Sequence, residues 1–219
     1  MYVYIYSTMK VLIINYNRLT LMRAMAEWLS ERGHEPIIID NNSCYPPLLE
    51  YYERTPYQVH RLNFNGGHRV IWHNNILIDV GITGEYIATD SDLILDGIPD
   101  DFVQQLQKGL DRYPEFEKAG FSLDLDRLPD TEAARTVYGH EIQYWNKPLD
   151  DKFFEASVDT TFALYRTNKF TYKSLRTNKP YCARHVTWEY DKYEDLSDEE
   201  KYYYNTANKS YSGKGRIRI

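Results

Sequence analysis

The sequence predicts an α/β protein built on a mainly parallel sheet flanked by helices, and three observations point that way. Short, continuous apolar runs such as VLIIN at residues 11–15 and PIIID at residues 36–40 suit strands buried on both faces. Between them Leu21, Met22, Met25, Trp28 and Leu29 recur at helical spacing until Gly33 ends the pattern. The alternation then repeats, and strand-helix-strand alternation implies parallel strands with crossover helices.

Taken in order, QVHRL at residues 58–62 is a third strand and YIATD at residues 86–90 a fourth. Pro99, Asp100 and Asp101 open a helix whose Phe102, Val103, Leu106 and Leu110 form one stripe, with the acids at its N-terminus. AGFSLDL at residues 119–125 and VDTTFALY at residues 158–165 read as strands, whereas residues 126–157 show no clear period. Ser197 with Glu200 fits a capping box that starts a short helix through Tyr202–Tyr204. One domain is expected over residues 1–219, with a first half at about 9–95, a second half at about 96–205 and a flexible tail or linker at 206–219. Residues 1–8 read as an extension or an extra edge strand.

A net charge of -6 argues against broad phosphate-backbone binding, so no nucleic-acid partner is expected. Cys44 and Cys182 are the two cysteines, neither a disulfide framework nor finger spacing, which places the protein in a reducing, cytoplasmic compartment. No signal peptide or transmembrane segment is read in the chain.

In an open parallel sheet, ligands bind beyond the carboxyl ends of the strands. Each such end here is polar: Asn15-Tyr16-Asn17-Arg18, then Asp40-Asn41-Asn42-Ser43, then Asn63 to Arg69, and finally Asp90-Ser91-Asp92. Asp90 and Asp92 flank a turn where both carboxylates can approach one hard cation, and magnesium or manganese favours oxygen ligands shared with phosphates. The competing reading is turn chemistry, for which Asn, Asp and Gly are the usual residues.

The strings INYNR, IDNNS, N-x-GGHR, TDSD, GFSLDLDRLPD, DTTFALYR and PYCARHVTW together resemble a family 2-like group of GT-A glycosyltransferases, across roughly residues 10–205. That group includes bacterial surface-polysaccharide transferases and the N-terminal domain of a multidomain algal-virus enzyme. The resemblance implies a GT-A, Rossmann-like fold with a C-terminal acceptor-side region, and transfer of a sugar from a nucleoside-diphosphate donor, a UDP-sugar, to a glycan or other hydroxyl acceptor. It also implies Mn2+ or Mg2+ as cofactor, a bacterial or virus-infected host cytosol as location, and a chain that belongs to a larger multidomain protein.

Carried over residue by residue, the resemblance gives the nucleoside to Asn15, Tyr16, Asn17, Arg18 and Asp40. It gives the donor pocket to Asn65, Gly66, Gly67 and Arg69, and the metal to Asp92, with Asp90 nearer the ribose or a metal-bound water and His185 as a third contact. Asp40 has the alternative role of capping its own turn. The sequence departs from the family where the catalytic base is commonly found, because no acid lies between Arg166 and His185. Asp159 is then the first candidate base and Glu141 the second. Tyr144, Trp145 and Trp188 are candidate acceptor-stacking residues, and Lys209, Lys214 and Arg216 of the tail are candidates to close over the diphosphate. Three alternatives stand beside this reading: a rhamnosyl-specific transferase domain of a larger enzyme, a sugar nucleotidyltransferase, and a noncatalytic nucleotide-sugar-binding module. The nucleotidyltransferase would carry a Gly-rich basic loop after the first strand, and INYNRLT has none.

Overall fold

The computed structural model describes residues 8–73, 75–190 and 192–207. The elements in chain order are β1 (Lys10–Asn15), α1 (Thr20–Glu31), β2 (Glu35–Asp40), α2 (Pro46–Tyr52), β3 (Gln58–Arg61), α3 (Ile76–Asp79), β4 (Tyr86–Asp90), β5 (Leu93–Ile94) and α4 (Phe102–Arg112). Then follow β6 (Lys118–Gly120), β7 (Ser122–Leu123), α5 (Glu132–Glu141), β8 (Phe153–Glu155), β9 (Ala163–Tyr165), β10 (Leu175–Thr177), β11 (Cys182–His185) and α6 (Asp198–Thr206). The tail residues Lys209, Lys214 and Arg216, and the segment before Thr8, lie outside the described residues.

An eight-stranded sheet runs in the order β3-β2-β1-β4-β9-β6-β10-β8, with β5-β11-β7 as a smaller sheet beside it. The strands β3, β2, β1 and β4 are parallel, as their apolar runs predict. Side-chain alternation explains those runs: Val11 and Ile13 enter one core cluster and Leu12 and Ile14 the other, so both faces of β1 are dry. On α1 Met22, Met25 and Leu29 of the expected stripe are buried together with Ala26, while Leu21 and Trp28 are half-buried.

Two expectations are corrected. The run at residues 158–165 is a strand only over Ala163–Tyr165, and it lies antiparallel between β4 and β6. Its first half is held out of the sheet by Lys118, whose fully buried ammonium donates to the carbonyls of Val158 (2.6 Å) and Asp159 (2.7 Å). The aperiodic stretch contains α5, which starts where Thr131 accepts the Ala134 N–H. Asp100 and Asp101 do stand at the N-terminus of α4, Asp101 as its N-cap residue; Asp100 pairs with Arg32 at 2.9 Å and Asp101 accepts the Tyr181 hydroxyl at 2.7 Å.

The AGFSLDL segment bends from the large sheet into the small one at Phe121. Gly120 permits this close passage, since a Cβ there would stand 2.7 Å from the Phe162 carbonyl oxygen. The chain proceeds outward from β1 to β2 and β3, then returns to place β4 on the other side of β1. Strand order therefore reverses between β1 and β4, and Ile14 pairs in register with Asp90 there.

Candidate active site

A cleft of about 670 Å³ opens at that reversal point, beyond the carboxyl ends of β1 and β4. Asn15, Tyr16, Arg18, Asn65, Gly67, Asp90, Asp92, Glu141, Asp159 and His185 all line it, as do Tyr144, Trp188 and His68. Asn17, Asp40, Arg69 and Trp145 do not line it.

The excluded residues have internal work. Asp40 is fully buried: its carboxylate accepts the Ser43 N–H at 3.1 Å, the Tyr52 hydroxyl at 3.1 Å and Arg61 at 3.3 Å, which is the turn-capping role, and its neighbour Asn41 reaches the cleft instead. Asn17, at a positive φ of 51°, accepts the N–H groups of Cys44 and Tyr45 through its side chain and so clamps the first loop to the second. Asn41 in turn clasps the double-glycine turn, accepting the Gly66 N–H and donating to the Gly67 carbonyl. At Gly66 a Cβ would stand 2.4 Å from Val70, so only glycine fits that approach. Arg69 lies just behind Asp159, 3.8 Å away, under Phe170 and against the Tyr172 hydroxyl.

The charged contacts of the cleft concentrate on Asp92. Its Oδ2 lies 3.3 Å from the Arg18 guanidinium and its Oδ1 3.9 Å from the His185 Nε2. Burial raises the Asp92 carboxyl, yet His185 and Arg18 outweigh it and hold the group below the usual carboxylate range. Asp90 goes the other way: burial, then the neighbouring Asp92 charge, push it up to about 8, and the Thr160 hydroxyl donates to it at 2.8 Å. The His185 Nδ1 is 2.9 Å from the Thr187 hydroxyl and its ring stacks on Trp188 with centroids 4.5 Å apart, which aims Nε2 at Asp92.

This donor set fits a hard divalent cation shared with a ligand. Among the described residues no three His, Cys, Asp or Glu side chains form a metal cage. Asp92 and His185 offer one oxygen and one nitrogen, and an ion such as Mg2+ ordinarily completes its shell with waters and phosphate oxygens.

The two candidate bases in the cleft differ. Asp159 is half-exposed, 3.9 Å from the His68 Nε2. Burial, more than Arg69, lowers the His68 pKa against the opposing pull of Asp159. Glu141 is buried and accepts a 2.7 Å hydrogen bond from Arg176, whose Nε donates to the Ser157 carbonyl.

Several residues here carry no pattern that a sequence reading could use. Arg176 is a lone charge inside the short strand β10, Thr160 an isolated polar residue before β9, and Glu200 looks like half of a capping box. The Ser197 hydroxyl does accept the Glu200 N–H at 3.2 Å, but the Glu200 carboxylate turns to Arg18, 2.8 Å away.

Among solved structures with a similar arrangement is a mannosyltransferase from Pyrobaculum calidifontis in complex with GDP-Man and Mn2+, at TM-score 0.52 and 11% identity over 90% of this chain and 59% of that one. The fold is of the GT-A type. Glucosyl-3-phosphoglycerate synthase from Mycobacterium tuberculosis, bound to Mn2+, UDP-glucose and phosphoglyceric acid, matches at TM-score 0.46 and 15% identity over 73% of this chain and 56% of that one. HddC from Yersinia pseudotuberculosis matches at TM-score 0.46 and 10% identity over 76% and 84% of the two chains. This GT-A chain thus spans 59% and 56% of the length of the first two. No protein-family model and no curated protein matches the sequence.

Proposed function

We propose that this chain is an inverting, metal-dependent glycosyltransferase domain acting on a nucleoside-diphosphate sugar, with a UDP-sugar as donor and a glycan or other hydroxyl acceptor. The observation that carries the reading is that one cleft holds both Asp92, with His185 and Arg18 beside it, and the half-exposed carboxylate of Asp159. The first group suits a departing diphosphate and the Asp159 carboxylate suits an incoming hydroxyl.

In the reaction, the acceptor oxygen forms a bond to the anomeric carbon as the bond from that carbon to the diphosphate breaks. The electron pair leaves with the diphosphate, and the acceptor proton passes to the Asp159 carboxylate. Asp92 and His185 would hold Mn2+ or Mg2+, which supplies Lewis-acid neutralisation of the leaving charge when bound. Asn15, Tyr16, Asn65 and Gly67 would surround the nucleoside end, while Tyr144 and Trp188 offer aromatic faces to a sugar ring. Glu141 is the second candidate base, although its buried ion pair with Arg176 favours a role in holding the acceptor wall. A cytosolic location belongs to the same proposal, and a rhamnosyl-specific transferase domain of a larger enzyme is the alternative to it. Among the described residues no helix is long and apolar enough to cross a membrane.

The test is calorimetric titration of UDP with and without Mn2+, on the native chain and on Asp92→Ala. Mn2+-dependent binding that the variant abolishes is expected, followed by donor hydrolysis in a screen of UDP-sugars. A native chain that binds UDP equally well without the metal would remove the metal-dependent reading.

A further inference from the structure

The donor side of the cleft holds a buried guanidinium between two buried carboxylates. The side chains of Arg18, Asp92 and Glu200 are 7%, 10% and 7% exposed. Arg18 meets Glu200 through two parallel contacts, Nε to Oε1 at 2.8 Å and Nη2 to Oε2 at 3.1 Å, and lies 3.5 Å above the Tyr203 ring. Its contact with Asp92, Nη1 to Oδ2 at 3.3 Å, is the longest of the three. The fork to Glu200 and the ring below it fix the guanidinium in place, so the planar group presents its remaining edge to the cleft.

We infer that Arg18 is a stand-in cation: it neutralises Asp92 while no divalent ion is bound, yields that carboxylate to the ion, and turns Nη1 to the diphosphate. The inference rests on reading Asp92 and His185 as the cation site. Its physical basis is that a carboxylate buried here needs a positive neighbour in either state, because an uncompensated buried charge is costly. A divalent ion beside Asp92 repels the guanidinium, and Glu200 together with Tyr203 keeps the displaced group within the cleft rather than losing it to solvent. The helix α6 therefore contributes to donor binding through Glu200, a residue far from the strand ends in sequence.

The two roles predict opposite signs, which a merely structural arginine would not produce. Full-length chain is titrated calorimetrically first with MnCl2 alone and then, at saturating Mn2+, with UDP. Arg18→Met is expected to bind Mn2+ more tightly by about tenfold or more, since a unit charge removed a few ångströms from a divalent ion outweighs one decade of affinity. The same variant is expected to bind UDP about tenfold more weakly, the loss of one charge-assisted contact. Because Arg18→Met leaves Glu200 buried without its partner, the double variant Arg18→Met/Glu200→Met is measured beside it and is expected to show both changes. Variants that bind Mn2+ no more tightly than the native chain, or UDP equally well, overturn the stand-in role while the cation site itself stands. A native chain that binds no Mn2+ overturns the cation site and this inference together.

Discussion

Asp159 and Glu141 differ in what surrounds each carboxylate, and that difference assigns their variants opposite phenotypes. Asp159 faces the cleft half-exposed, whereas Glu141 is buried against Arg176. Asp159→Asn is expected to lower kcat by roughly two to four orders of magnitude, the usual worth of general-base catalysis, with UDP and Mn2+ binding unchanged in calorimetry. Glu141→Gln is expected to cost about 3–5 kcal/mol of stability by stranding the buried Arg176 charge, read as a lowered denaturant midpoint. Transfer activity retained in Asp159→Asn would move the base elsewhere. At this scale the sequence was informative in proportion to how local each role is. Asp90 and Asp92 were found because a doublet of acids interrupts an apolar strand, whereas Asp40 was placed in the cleft although three donors within the fold enclose it. The type of a residue shows that it can bind something, and only its neighbours show whether its oxygens remain for a ligand.

Among the elements, α6 has the most consequences. The α1 helix begins at Thr20 without a cap from its own neighbourhood, Leu19 having none to give. The missing acceptor comes from Glu199 of α6, whose carboxylate takes the Thr20 N–H at 3.0 Å and the Thr20 hydroxyl at 3.0 Å. Glu199→Ala is expected to cost about 1 kcal/mol, the typical worth of a cap, and to lower Tm by roughly 2–4 °C in a calorimetric scan. An unchanged Tm would show that solvent caps α1 as well as Glu199 does. The cap on α6 itself was legible, because Ser197 acts within its own turn. The helix α5 was not legible, since its buried Ala134, Val137 and Glu141 include one small residue and one acid and make no apolar stripe.

At the scale of the whole molecule, Lys118 ties the large sheet to the loops that wall the cleft. Its ammonium reaches the carbonyls of Val158, Asp159 and Thr171 and sits over the rings of Tyr165 and Phe170. Burial pulls its pKa down to about 7, against 10.5 for the free side chain, with Asp159 opposing the shift. Between those values the unfolded chain binds the proton that the native chain has released, so stability rises with pH across this window. Denaturation midpoints measured from pH 7 to pH 10 are expected to climb relative to Lys118→Met, and parallel profiles would show that the lysine keeps its proton. By itself the sequence determined the parallel strands β1 to β4, the helix α1 and the polar strand ends, because each follows from hydrophobic periodicity or turn chemistry within a few residues. It determined too that the cleft would lie where those ends meet, since the handedness of strand-helix-strand units leaves little choice. Only the tertiary structure decided that residues 158–162 leave the sheet, that β9 runs antiparallel, and that Glu199 and Glu200 serve a loop and a helix some 180 residues earlier. Those outcomes depend on buried charges finding partners from distant segments, a constraint that exists only once the chain has closed on itself.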